Sequence, residues 1–166
     1  MARFEPDIGN VAAATPIYEG LMELKVISAK GFAYENDEGD ERAGVEYRFE
    51  VVGQRDPQTD ELDRTDAGKP ISSHRVWLHT DKAWPMAKSF VMAAMGFVRT
   101  AAGEEEFNKK YATKKDWHVV GEGDDVEVGS GWELPVGQIV LADCEPEDID
   151  EDRQRQGFKR FLAAEA

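Results

Sequence analysis

The chain has 166 residues, 41% of them hydrophobic, which is enough for one domain with a real core. Its formal net charge of -14 argues on average against phosphate-binding partners, no apolar run approaches the ~18 residues that span a bilayer, and the opening MARFEPDIGN lacks a hydrophobic signal region. The single cysteine, Cys144, excludes an internal disulfide and a CxxC zinc pair, so a soluble, cytoplasmic protein without a membrane partner is expected.

Residues 1–16 read as a flexible N-terminal arm, and 17–166 as one domain. In YEGLMELKVISAKGFAYE, Met22, Leu24 and Val26 alternate with Glu23, Lys25 and Ile27, the pattern of a half-buried strand, with Gly31 a candidate for a bend. After an acidic loop, GVEYRFEVVG places Val45, Tyr47, Phe49 and Val51 inward and Glu46, Arg48 and Glu50 outward. The polar stretch 54–70 is too long for a tight hairpin and reads as an extended, mobile connection. SSHRVWLHT, 72–80, is a third strand whose alternation puts His74, Val76 and Leu78 inside and Arg75, Trp77 and His79 outside.

The period then changes. Thr80 or Asp81 can cap a helix, Pro85 fits its first turn, and Ala83, Ala87, Phe90, Val91, Ala94 and Val98 recur at helical spacing, so a helix is expected over 82–99. GEEEFNKKYATKKDW suits a second, shorter helix, with acids early and lysines late. WHVV is a short apolar piece, Val136 to Ala142 forms a fourth strand, and RQRQGFKRFLA a fifth, with Phe158, Arg160 and Leu162 opposed to Gly157, Lys159 and Phe161. The chain is therefore mainly β with one or two helices. Its order, β-β-β-α-(α)-β-β, is that of an OB-like five-stranded barrel.

Three runs, ENDEGDE (35–41), EGDDVE (122–127) and DCEPEDIDED (143–152), hold 5, 4 and 7 acids and no base. Setting aside those 16 leaves 18 acids against 20 bases, so the remainder is free to build a basic face. Enzymatic motifs are missing: there is no P-loop, GxGxxG, GxSxG or HExxH. The three histidines have no metal-ligand spacing, ENDEGDE fails the EF-hand pattern, and Cys144 sits among acids that raise a thiol's pKa. A non-catalytic protein with no cofactor and no metal is expected.

The basic and aromatic residues are more informative. Arg75 and Trp77 on the third strand can neighbour Arg48 on the second and Lys25 or Lys30 on the first, with Phe32 and Tyr34 near the expected bend. Such a surface gives phosphates cations and bases rings to stack on. FNKKYATKK, with Lys109, Lys110, Tyr111, Lys114 and Lys115, and RQRQGFKR would lengthen the electrostatic track.

The segments IYEGLMELKVISAK, VEYRFEVVG, SHRVWLHTDKAWPMAKSFVMAAMGF, LPVGQIVLADCEPED and QGFKRFLA, spanning about 17–162, together resemble phage-encoded single-stranded DNA-binding proteins with an OB-like barrel. The resemblance implies sequence-tolerant binding of single-stranded DNA in replication or recombination, through the second and third strands. Replication or recombination proteins are the partners it suggests, with self-association left open. The chain ends FLAAEA instead of in the acidic tail many such proteins use for recruitment. Two alternatives of other classes are an acidic interaction or DNA-mimic module, which needs its acidic loops on one face, and a structural assembly component.

Overall fold

The computed structural model describes residues 15–123 and 125–164, with Arg3, Glu5 and Asp7 before them. Most of the arm expected over 1–16 therefore lies outside the described residues.

Period-2 alternation builds the first two strands. β1 (Gly20–Glu35) buries Met22, Leu24 and Val26, and its antiparallel partner β2 (Glu41–Arg55) buries Val45, Tyr47, Phe49 and Val51. The turn between them is closed by Asn36, whose Oδ1 accepts the backbone N–H groups of Glu38 and Asp40. The expected bend at Gly31 is replaced by register slips at Glu23/Leu24 and Val26/Ser28, where bulges bend and twist a strand. Gly31 serves another purpose. A Cβ there would lie 2.6 Å from a methyl of Val126 and from one of Val128, so glycine marks a close approach.

The connection after β2 is hydrogen-bonded and not merely extended. Asp56 and Asp63 accept the N–H groups of Gln58 and Thr65, and the short strand β3 (Leu62–Asp63) pairs with Gln54 and Arg55. β4 (Pro70–Trp77) follows on the same edge of β2, its pairs running from Glu50↔Pro70 to Gly44↔Trp77.

The helix expected over 82–99 is shorter, because Gly96, at φ 84°, turns the chain out of it. α1 (Trp84–Ala94) carries Pro85 in its first turn, and α2 (Ala101–Phe107) starts at Thr100, whose hydroxyl accepts the N–H of Gly103. A π-helical turn, Asn108–Ala112, prolongs α2. Two two-residue strands, β5 (Val119–Val120) and β6 (Glu127–Val128), form a hairpin over Gly31, and a 3-10 turn, Ser130–Glu133, seats Trp132 in the core. The Tyr47 hydroxyl donates to the Trp132 carbonyl oxygen at 2.7 Å, and burial pushes its pKa far above the ordinary tyrosine range.

β7 (Ile139–Asp148) and β8 (Gln154–Ala163) complete the sheet, β7 pairing with the start of β1. The expected alternation in β8 fails at one place. A slip between Asp143 and Cys144 leaves Lys159 without an opposite residue, which shifts the phase and lets both Phe158 and Phe161 reach Phe49 and His74.

The protein is mainly β with two helices, as expected, but the element order differs from the five-strand reading. Among the described residues there are eight strands in the order β-β-β-β-α-α-β-β-β-β. The main sheet runs β4-β2-β1-β7-β8, with β3 beside β4 on β2, and no ladder joins β4 to β8. Their edges communicate through rings: His74 lies 4.6 Å from Phe161 and 5.7 Å from Phe158, while Phe90 of α1 covers Tyr47, His74 and Phe161. Among the described residues no helix is long and apolar enough to cross a membrane.

Candidate nucleic-acid interface

The face of β1-β2-β4 turned away from this core is laid out in cross-strand rows. Lys30, Glu46 and Arg75 form one row, and Phe32, Gly44 and Trp77 the next. Because Gly44 has no side chain, the rings on either side meet over it: Phe32 and Trp77 are 5.2 Å apart, edge to face. A Cβ on Gly44 would fall 2.0 Å from the Val76 carbonyl oxygen and 3.0 Å from the Phe32 ring. Arg75 is drawn over the same ring, its Cζ 4.7 Å from the Phe32 centroid, and its Nε lies 3.4 Å from Glu46, which also accepts the Ser73 hydroxyl. Tyr34, 6.2 Å from Phe32, extends the aromatic patch toward the β1–β2 turn.

Trp77 is half-buried. Its ring neighbours are Phe32 and His79, and the connection after β2 does not cover it. That connection pairs with β2 at residues 54 and 55, beyond the Glu50↔Pro70 pair, while Trp77 faces Gly44, roughly 20 Å away along the strand.

Of the cations on this face, Arg75 pairs with Glu46, and Glu46 and Glu50 stand opposite Lys30 and Lys25 in the ladder without reaching them. Among the described residues Lys25, Lys30, Arg42 and Arg48 have no acidic side chain at ion-pair distance. On β7-β8 the opposite holds. Arg153 pairs with Asp150, Arg155 with Glu147, Lys159 with Glu145 and Arg160 with Asp143, so the basic run expected to lengthen the track is neutralised by the acidic run preceding it. The other two acidic runs meet at one end of the sheet, where the Gly123 N–H donates to the Ala33 carbonyl oxygen beside the β1–β2 turn. The 143–152 run begins at the opposite end of β1, across from Gly20 and Leu21, so the three do not gather at one end of the sheet.

The fold thus gathers Lys25, Lys30, Phe32, Tyr34, Arg48, Arg75 and Trp77 on one surface, and it does not bring the segment after α2 to them. Lys109 pairs with Glu105 at 3.2 Å, Lys110 lies over the Tyr111 ring, and that ring packs against Phe97 and Phe107. Lys114 and Lys115 are exposed on the same segment. Phe107, Trp117 and Trp132 tie it to the inner side of the sheet, where Tyr47 points, and residues of β2 one position apart face opposite ways. Two further residues of the outer surface are Arg42, directly before the strand signal and missed by the sequence, and His79, which the alternation already places outside with Arg75 and Trp77. They meet at 2.7 Å, Arg42 Nη1 donating to His79 Nε2.

Cys144 is held as a thiol, its pKa pushed up to about 12 chiefly by burial and then by Asp143. Among the described residues no three His, Cys, Asp or Glu side chains lie close enough to share a metal ion. No family model matches the chain, and no curated protein matches it.

Proposed function

We propose that the chain binds single-stranded DNA without catalysis and with broad sequence tolerance, as a replication or recombination accessory of the phage type, through the outer face of β1-β2-β4. The observation that carries this reading is the joining of Phe32 and Trp77 over Gly44 on a face where Lys25, Lys30, Arg42 and Arg48 have no carboxylate at ion-pair distance among the described residues. Aromatic rings stack on any base, worth ~1–3 kcal/mol each, and unpaired cations release counterions from phosphates. An OB-like, partly open barrel is the finer architectural reading, supported by β4 and β8 approaching through His74, Phe158 and Phe161 under α1.

A titration with oligo-dT at low salt, followed by tryptophan fluorescence and by anisotropy of a labelled strand, tests it. Trp84, Trp117 and Trp132 form a separate ring cluster, so quenching by DNA should vanish in Trp77→Phe while binding persists. Trp77→Ala should weaken binding about 5- to 150-fold, the equivalent of ~1–3 kcal/mol. No anisotropy change with the wild-type protein would overturn the reading.

One observation favours a second reading, an acid-presenting contact with a basic protein: Gly123, inside the 122–127 run, bridges to Ala33, two residues before the 35–41 run. Charge-neutral substitutions of Asp37, Glu38 and Asp40 would abolish such a contact and leave oligo-dT bound.

A further inference from the structure

Beside Trp77 the outer face carries a shallow, open recess of about 430 Å³ lined by Arg42, Trp77, His79 and Ala83. Its polar lining offers donors. Arginine can only donate, so the 2.7 Å contact makes His79 Nε2 the acceptor and leaves the imidazole proton on Nδ1. The remaining N–H groups of the Arg42 fork have no carboxylate at ion-pair distance among the described residues. His79 therefore positions a guanidinium without neutralising it. The arrangement is not the one that best satisfies the free protein, since Nδ1 is enclosed with no hydrogen-bond partner. The Trp77 indole and the small side chain of Ala83 complete the lining.

We infer that this recess is a base subsite that prefers guanine. It rests on the single-stranded DNA reading and deepens it. A guanidinium fork beside an aromatic ring complements a planar base bearing two acceptors on one edge, which guanine supplies with O6 and N7. Adenine places a donor where one of those acceptors would be, and thymine separates its two acceptors by a donor; cytosine also offers two adjacent acceptors, N3 and O2, but on a single ring with less area to stack on the indole, so it should rank between guanine and thymine. Binding stays tolerant elsewhere on the platform, because Phe32 and the cations of β1 and β2 read no base edge, and the preference is confined to one nucleotide.

The test compares dT octamers carrying one internal G, A or C with all-T, by anisotropy competition, and adds a 5′-phosphorylated all-T strand. A single G should tighten binding by about tenfold or more. Arg42→Lys, which keeps the charge and loses the fork, should erase that preference, so that the single-G and all-T octamers bind alike. His79→Leu should erase it too, and His79→Gln, whose side-chain oxygen can accept from Arg42, should restore it. Equal affinity for all four octamers, a preference that survives Arg42→Lys, or a gain from the 5′-phosphate in place of G would each overturn the subsite while leaving DNA binding intact. Failure of every octamer, all-T included, to bind would instead remove the reading beneath it.

Discussion

His74 shows at the residue scale how the core sets a pH limit. It stands among Phe90, Phe158 and Phe161, and burial pushes its pKa from 6.5 down to about 4. Between those two values the unfolded chain binds the proton and the folded chain does not, so stability rises with pH through this window and is lost as pH falls from about 6.5 toward 4. The full difference is on the order of 3 kcal/mol. Urea unfolding of the wild type should therefore give a midpoint that drops across this window. His74→Phe, which keeps a ring and removes the proton, should flatten the drop; an equal slope in both proteins would assign it to the carboxylates.

The β5–β6 hairpin is the element whose place depends most on one missing atom. It is two residues long on each side and is held to the sheet by Val126 and Val128 packing onto Gly31 and by the Gly123–Ala33 hydrogen bond. Gly31→Ala should push both valines away, costing about 1–3 kcal/mol as overpacking does. Hydrogen exchange should report the loss at Val119 and Val128, with the β1–β2 ladder next to Glu50 still protected. Unchanged protection at both valines would show that the hairpin docks by other means. This hairpin also illustrates what the sequence conceals. Long uninterrupted alternation made β1, β2 and the outward set Arg75, Trp77 and His79 legible, because a period of 2 needs no partner to be read. A bulge has no residue signature, so the phase change at Lys159 and the bend near Ser28 stay hidden in the sequence, and the glycine at 31 suggests a bend where the structure has a contact. Register was hidden as well. Only the pairing of Gly44 with both Phe32 and Trp77 makes a platform of two rings distant in sequence, and only the inward direction of Tyr47 explains why the lysines after α2 are carried to the other side.

At the scale of the whole molecule, a net charge of -14 and the proposed phosphate-binding face are compatible because the charge is sorted by position. The acids of β7 absorb the bases of β8, the loop of the β5–β6 hairpin bridges at Gly123 to Ala33 near the acidic β1–β2 turn, and among the described residues Lys25, Lys30, Arg42 and Arg48 of the outer face have no carboxylate at ion-pair distance, with Arg75 beside them. Screening acts over ~10 Å at 0.1 M salt, so a bound strand senses these local cations more than the distant excess of acid. For a single strand the logarithm of affinity should fall against the logarithm of salt with a slope of about -0.7 per phosphate neutralised, hence roughly -3 if four or five of these side chains take part. Arg48→Gln or Lys30→Gln should each lower affinity and make the slope shallower by about 0.7. The quadruple change of Lys109, Lys110, Lys114 and Lys115 to Gln should leave the slope where it was, since those residues lie on the inner side of the sheet. A slope that shrinks with the quadruple variant and ignores Arg48 and Lys30 would move the phosphate track to the helical layer and detach it from Trp77.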